Sequence, residues 1–212
     1  YAVRSETELL VFPDEGLPKL AWLVTIYGVN TGGFRYRVFV DGKTGEVINS
    51  YSDIHFDGPT VGSGTDVNSN VFPLQTYQFG STYQLVDATH PMYTPPIGNL
   101  DGVIVTYWNL FKGGGIVTDP NNDNVFSDNI NFRPAVSAHY FCQLTYDYYQ
   151  NTFGRNSLDG LGMSIIANVH DSVYVNNAYW NGSSISFADG DGVNYLPFSG
   201  DPDVVGHELT HG

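Results

Sequence analysis

The change of hydrophobic period near residue 133 constrains the fold of this chain more than any other feature of its sequence. Before it, apolar side chains recur every second residue, as in Tyr36, Val38 and Val40, which is the period of a half-buried strand. From there, "RPAVSAHYFCQLTYDYYQNTFG" (133–154) spaces them three and four residues apart. That spacing predicts a helix that ends near its final glycine.

Short strand candidates occupy most of the remaining sequence, separated by clusters of Gly, Pro and Asn. The segments with strand character are 20–28, 33–51, 74–80, 82–88, 102–110 and 162–170, with a hairpin over 176–192. A second helix is expected from about residue 202. The predicted fold class is therefore α+β, mainly antiparallel β with a few helices.

Residues 52–70, "SDIHFDGPTVGSGTDVNSN", are polar and rich in Gly, with no sustained hydrophobic period. Such a stretch is typical of a linker or an exposed processing segment. It divides the chain into a small antiparallel meander over 1–51 and a larger region over 71–212.

The charge of the chain excludes several classes of partner. Eight Lys and Arg stand against 22 Asp and Glu, a formal net charge of −14, so nucleic acid and anionic membrane surfaces would be repelled. We therefore expect no nucleic acid or membrane partner. The many Tyr, Gly, Asn and Ser residues with only 14% charged residues are typical of exported bacterial proteins, so we predict secretion to the extracellular medium.

A secreted chain of this kind must find rigidity without disulfides. Cys142 is the single cysteine of the sequence, which leaves the core or bound metal ions such as calcium to stabilise the fold. No apolar run approaches the roughly 20 residues of a membrane span, and the start lacks a signal-peptide pattern. We expect the sequence to be a segment of a longer precursor.

The final stretch, "SGDPDVVGHELTHG", carries the strongest chemical signal. Asp201 is a good N-cap and Pro202 suits the first helical position, so a helix is expected from about residue 202. On it His207 and His211 lie one turn apart on one face, where two imidazoles can bind one zinc ion. Glu208 projects about 100° away and can act as general base on a zinc-bound water. The alternative is an amphipathic helix with two surface histidines.

Several ordered segments together resemble one enzyme family. "AVSAHYFCQLTYDYYQNTFGRNSLDG", "NNAYWNG" and "DVVGHELTHG" follow one another as in the first half of the catalytic region of thermolysin-like neutral metalloproteases. The resemblance runs from about residue 60 to 212, and residues 1–51 resemble the end of a PepSY-type propeptide. It implies the N-terminal β-rich lobe of such a protease, preceded by a propeptide remnant.

The resemblance also implies roles for particular residues. His207 and His211 would bind zinc, with Glu208 as the catalytic carboxylate. Asn177 and the carbonyl of Ala178 would bind the substrate backbone on an edge strand, with Trp180 nearby, so that a peptide docks by strand addition. From the local sequence alone, the alternative for "NNAYWNG" is a plain hairpin that packs aromatic side chains.

Two places are candidates for calcium. Asp203 matches a calcium ligand of the family, although its simpler role is that of an acid in the first turn of a helix. In "DPNNDN" oxygen-bearing side chains alternate, as a hard cation prefers, but ordinary turn chemistry accounts for them equally well. The residues concerned are Asp119, Asn121 and Asp123. His139 and His170 are weaker candidates as extra zinc ligands, since each lies in a patterned helix or strand, where core or surface roles are commoner.

The family's third zinc ligand, a glutamate, and its oxyanion-stabilising tyrosine and histidine are not identified in this sequence. The resemblance therefore implies a precursor fragment of a secreted zinc endopeptidase, inactive alone, that requires the remaining C-terminal half of its catalytic domain and acts on peptide or protein substrates. The alternative is a binding module in which the propeptide strands act as inhibitor or folding template without catalysis.

Overall fold

The computed structural model describes residues 2–13, 17–29, 35–52, 57–94, 100–109 and 113–212. The chain forms two compact units, residues 1–56 and residues 57–212. Most secondary-structure elements of the described residues are β-strands, and two are α-helices. The α+β prediction is confirmed.

The first unit contains a four-stranded antiparallel meander in the order β1-β2-β3-β4. Its strands are β1 (Ala2–Phe12), β2 (Lys19–Val29), β3 (Arg35–Asp41) and β4 (Val47–Ser52). The turn between β3 and β4 forms around Asp41, whose Oδ1 accepts the N–H groups of Lys43 and Thr44 at 2.8 and 3.0 Å. The Asp41 side chain therefore stabilises the turn that joins these strands.

The second unit contains two sheets and both helices. Its strands are β5 (Gly58–Thr65), β6 (Val71–Phe79), β7 (Thr82–Gln84), β8 (Val86–Asp87), β9 (Ile104–Trp108), β10 (Val125–Phe126), β11 (Ile165–Asp171), β12 (Ala178–Trp180) and β13 (Ile185–Ala188). The helices are α1 (Phe132–Phe153) and α2 (Pro202–His211), the latter preceded by a 3-10 turn at Phe198–Gly200. One sheet has the order β10-β5-β6-β7 and the other β12-β13-β11-β9-β8.

The structure differs from the linker prediction over part of 52–70. Residues 58–65 form β5, which pairs with β6 along its whole length. The glycines that favoured a flexible linker permit close packing instead, since a Cβ on Gly64 would lie 2.6 Å from the Val136 side chain and 2.9 Å from that of Leu74. Residues 53–56 lie outside the described residues, so a processing segment there remains a prediction.

Strand direction is the second departure. Among the described residues, seven of the ten strand pairs are antiparallel, but β11 runs parallel to both of its neighbours, β9 and β13, and β10 runs parallel to β5. For the β9–β11 pair the reason is α1, which intervenes between these two strands in the chain and packs against both. A crossover of this kind returns the chain to the same end of the sheet, which hydrophobic period alone does not reveal.

The core of the second unit lies between α1 and the five-stranded sheet. Ala135, Ala138 and Cys142 of α1 are fully buried in the same apolar cluster as Ile165 and Val169 of β11. The predicted helix therefore buries the face that its spacing marks. Over the part of the chain that the structure describes, neither helix is both long and apolar enough to cross a bilayer.

Candidate functional site

The terminal helix α2 forms as its sequence predicts. The Asp201 Oδ1 accepts the N–H of Asp203 at 2.9 Å, and Pro202 occupies the first turn. Val205 and Leu209 are buried in the main core. Packing on that side leaves the opposite face of α2 at the surface of the protein.

The two histidines of α2 converge on one point in space. His207 and His211 are both exposed, their ring centroids lie 4.7 Å apart, and their Nε2 atoms are 3.0 Å apart. Two nitrogens bound tetrahedrally to one zinc ion at its usual bond length would be about 3.3 Å apart. The pair therefore fits adjacent corners of a zinc site with a very small adjustment of either ring.

Glu208 lies beside this pair but in a different environment. Its side chain is only 8% exposed, and its Oε2 accepts the backbone N–H of Trp180 at 2.9 Å. That bond joins α2 to β12 and fixes the orientation of the carboxylate. One carboxylate oxygen is thus occupied by the edge strand, and the structure brings predicted residues from two elements together.

Strand β12 is the edge of the five-stranded sheet. The N–H of Ala188 donates to the Asn177 carbonyl, and the N–H of Asn181 donates to the Ser184 carbonyl, both at 3.1 Å. Because successive residues of a strand point their backbone groups to opposite sides, the N–H and carbonyl groups of Ala178 and Trp180 face away from β13. Trp180 uses its outward N–H to hold Glu208.

A cleft of about 330 Å³ lies between the edge strand and α2. It is lined by Asn177, Ala178, Phe198, Asp203, Val204, His207 and Glu208. Phe198 and Val204 were not among the sequence candidates, because their apolar side chains resemble ordinary core residues. The 3-10 turn before α2 brings Phe198 to the cleft, and no local pattern in the sequence indicates this.

The described residues supply only part of a metal site. Among them, no three His, Cys, Asp or Glu side chains gather closely enough to hold a metal ion. His207 and His211 thus form a two-ligand arrangement, whereas a catalytic zinc takes three protein ligands.

The predicted calcium loop contains extensive turn chemistry. Asp119 is buried, and its carboxylate accepts the N–H groups of Asn121, Asp123 and Asn124 at 2.6 to 2.9 Å. The Asn121 side-chain amide donates to Asp128 at 2.7 Å. Calcium binding by Asp119, Asn121 and Asp123 stays a prediction.

Asp203 stands at the rim of the cleft. Its side chain is exposed, and its position in the first turn of α2 places a negative charge where the helix dipole favours it. This is the simpler of the two roles that the sequence allows, and a calcium role stays a prediction.

His139 is a core residue. It is completely buried in α1, its Nε2 lies 2.8 Å from the Gln75 carbonyl, and its Nδ1 lies 3.0 Å from the Thr106 hydroxyl. Since a carbonyl only accepts, Nε2 carries the proton and Nδ1 accepts from Thr106. Burial lowers the pKa of His139, so the ring is neutral.

His170 has a different setting, at a β-bulge at the end of β11 with a φ of 57°. Its Nδ1 lies 2.8 Å from Asp189 and its Nε2 lies 3.0 Å from the Asn131 carbonyl. Burial lowers the pKa of His170, but the Asp189 carboxylate and the Asn131 carbonyl outweigh it, so the pKa is raised overall. Neither His139 nor His170 adjoins the histidine pair of α2 in the observed contacts.

Comparison with known proteins places this arrangement in a family. Residues 61–212 match the family model described as "Thermolysin metallopeptidase, catalytic domain". The chain is 36% identical over 208 residues to a bacillolysin of Brevibacillus brevis, covering 97% of this chain and 36% of that protein. It is 34% identical over 217 residues to a thermolysin of Alicyclobacillus acidocaldarius subsp. acidocaldarius, covering 97% of this chain and 38% of that protein.

A solved structure also matches, the precursor of protealysin, a metalloproteinase from Serratia proteamaculans. It is 32% identical with a TM-score of 0.42, and the match covers 56% of this chain and 35% of that one. The present chain thus spans 36% to 38% of the length of the two curated relatives described.

Proposed function

Because the chain belongs to the thermolysin metallopeptidase family, we propose that it supplies the zinc-binding helix and the substrate-binding edge strand of a secreted, extracellular zinc endopeptidase. Residues 1–51 would be the end of a PepSY-type propeptide and residues 71–212 the N-terminal lobe of the catalytic domain. The observation that supports this most directly is the convergence of His207 and His211 beside the anchored carboxylate of Glu208.

His207 and His211 would hold the zinc ion through their Nε2 atoms. Zinc held there would supply Lewis acidity, which polarises a carbonyl group and lowers the pKa of water. The 212 residues alone are expected to be inactive, because the described residues bring together two metal ligands and a catalytic zinc takes three. The third would come from the remaining C-terminal half of the catalytic domain.

Glu208 would act as the general base of the reaction. Its Oε2 is held by the Trp180 N–H, which leaves Oε1 to take a proton from the attacking water and pass it to the leaving amine. Burial of the carboxylate at the base of the cleft limits its contact with bulk water. The anchoring bond to the edge strand keeps the base in register with a substrate bound there.

A peptide substrate would bind β12 by strand addition. The outward backbone groups of Ala178 are available to a peptide chain, and the Asn177 side chain is exposed beside them. Trp180, two residues further along the strand, holds Glu208 through its backbone N–H. Phe198 and Val204 give the cleft an apolar wall, which favours bulky apolar substrate side chains.

Calcium is the second metal of the proposal. Asp203 and the loop that contains Asp119, Asn121 and Asp123 are its candidate ligands. Hard oxygen donors at both places fit Ca²⁺ better than a softer transition metal.

The decisive experiment replaces Glu208 by Gln in the longest form of the protein that the gene encodes. We expect peptide hydrolysis to fall by about 100- to 10,000-fold, the usual contribution of a general base, while zinc content stays unchanged. Glu46→Gln, at an exposed position of the first unit, is the matched control and should keep full activity. Full activity in Glu208→Gln would refute the proposed role.

A second function is proposed for residues 1–51 as an inhibitor or folding template without catalysis. The registers of β1 to β4 place Leu9, Trp22, Val40 and Val47 side by side on one face of the meander. Three of these four side chains are 43% to 60% exposed, so the face is apolar and accessible. Zinc content separates the two functions: a protein that takes up no zinc with excess metal retains only the template role.

A further inference from the structure

A single buried carboxylate joins both ends of the loop that carries Asn177. Asp171 is 4% exposed at the end of β11. Its Oδ1 accepts the N–H of Val173 at 2.8 Å, and its Oδ2 accepts the hydroxyl of Tyr179 at 2.5 Å. Val173 lies at the start of the loop and Tyr179 lies in β12, just beyond it.

The bulge at His170 directs this carboxylate. Asn168 pairs with Ser186 and Val169 pairs with Phe187, but the next residue of β13, Ala188, pairs with Asp171. His170 is therefore the extra residue of the bulge. In a regular strand that contained His170 but no bulge, Asp171 would share the face of Val169, which is buried in the apolar cluster beneath α1. The bulge instead turns Asp171 to the other face of the sheet.

That face carries a row of polar side chains across three strands, of which Asn168 and Ser186 are completely buried and Tyr179 is partly buried. The side chain of Asn168 donates to the Ser186 hydroxyl at 3.1 Å, and Tyr179 lies directly opposite Ser186 in the β12–β13 pair. From there the Tyr179 phenol extends to Asp171. Burial raises the pKa of Tyr179, and its bond to Asp171 raises it further, so the phenol remains the donor.

We propose that Asp171 and Tyr179 are positioning residues for the peptide substrate. By joining both ends of the 172–177 loop, they fix the Asn177 side chain and the outward carbonyl of Ala178 at the cleft. This rests on the proposed function, since those two groups matter only if a peptide docks on β12. Asp171 and Tyr179 themselves need not touch the substrate.

Further contacts support the loop between these points. In one of them the Tyr174 ring packs edge-on against the Tyr179 ring, with centroids 5.3 Å apart. Val173, Tyr174 and Val175 are 53% to 63% exposed, and a backbone bond from the Gly190 N–H to the Val175 carbonyl at 3.0 Å holds the middle of the loop. Loss of the carboxylate–phenol bond is therefore expected to loosen the loop and the start of β12, while α1 and the main core stay intact.

The test uses Tyr179→Phe and Asp171→Asn in the longest form of the protein that the gene encodes. Hydrogen exchange of the amides in 172–180 should become about tenfold faster relative to α1, since a hydrogen bond to a charged group is lost. KM for a peptide long enough to lie along β12 should rise about tenfold, with kcat within about twofold and zinc content unchanged. A blocked dipeptide, which makes fewer main-chain bonds to β12, should show a smaller rise.

Tyr174→Phe is the matched control, because it removes a hydroxyl from an exposed tyrosine of the same loop. It should leave both exchange and KM unchanged. Unchanged exchange in both Tyr179→Phe and Asp171→Asn would overturn the link, and faster exchange with unchanged KM would overturn the positioning role. An unmutated protein that hydrolyses no peptide would refute the proposed function, whereas the exchange measurement would still decide whether the link exists.

Discussion

The histidines of α1 and α2 show how the same side chain serves opposite purposes in two helices of one unit. In α1, His139 is completely buried, and both ring nitrogens have partners in the core. In α2, His207 and His211 are exposed, and their Nε2 atoms approach each other at 3.0 Å. A ring whose nitrogens are satisfied by the protein stabilises the fold, whereas rings whose nitrogens converge at the surface are available to a metal ion.

The largest expected effect comes from His207→Ala. Loss of one of two converging ligands should weaken zinc binding by at least about 100-fold, since even outer-shell partners contribute about 10- to 100-fold. The free energy of unfolding without metal should change by no more than about 0.5 kcal/mol, because the side chain is exposed. Competitive titration against a chelator and urea unfolding of the metal-free protein would measure the two quantities.

His139→Leu tests the buried histidine of α1 in the same way. It leaves the Gln75 carbonyl and the Thr106 hydroxyl without their buried partner, so the free energy of unfolding should fall by about 3 kcal/mol. Zinc affinity of the folded protein should stay within about twofold. If His139→Leu weakened zinc binding as strongly as His207→Ala, the division between the two helices would be wrong.

The pH dependence of stability distinguishes His139 from His170. The pKa of His170 is raised in the folded state. Its contribution to the free energy of unfolding is therefore complete below the unfolded-state pKa of about 6.5, and it is lost as the pH rises through the higher folded-state pKa. His139 has a lowered pKa, so it instead destabilises the protein as pH falls below about 6.5.

His170→Asn isolates the first of these effects, because Asn tolerates the positive φ at this position. Urea unfolding at pH 5.5 and 8.5 measures the free energy of unfolding. Between these two values it should fall by about 1 kcal/mol more in the unmodified protein than in the variant. An identical pH dependence in both proteins would contradict a charged His170 paired with Asp189.

The smallest expected effect concerns Gly206 in α2. A Cβ there would meet only the Thr145 hydroxyl, at 3.9 Å, so Gly206→Ala should stabilise the protein by about 0.5 to 1 kcal/mol through helix propensity. Gly102→Ala is the contrasting control, because its φ is +68° and a Cβ would lie 1.9 Å from the Met92 carbonyl oxygen. Thermal unfolding of both variants measures these effects. Destabilisation by Gly206→Ala would mean that another segment packs close to α2 at this position, contrary to the observed contacts.

Local patterns predicted the elements of the site more reliably than their surroundings. The cap at Asp201 and the apolar positions Val205 and Leu209 indicated both the start of α2 and its buried face. The hairpin predicted over 176–192 is confirmed as β12 and β13, where the Asn181 side chain accepts the Ser184 N–H at 2.9 Å in the turn. These signals are reliable because each depends on neighbours within about five residues.

Long-range features were not predictable in the same way. Residues 58–65 had the composition of a linker, yet their glycines allow close packing against α1 and β6. The parallel direction of β11 and the arrival of Phe198 at the cleft likewise depend on where distant segments meet. No local signal marked Asp171, because its partner Tyr179 reaches it only through the bulge at His170.

The sequence by itself determined the placement of the two histidines of α2, since a capped helix with two histidines one turn apart presents them on one face in almost any fold. Only the tertiary structure decided that Glu208 is held by the backbone of β12, that the backbone N–H and carbonyl of Ala178 face outward at a sheet edge, and that the buried Asp171 carboxylate bonds to Tyr179 of β12. Helical spacing is a property of the local backbone, whereas these contacts join residues far apart in the chain or depend on strand order and register, which packing of the whole unit sets.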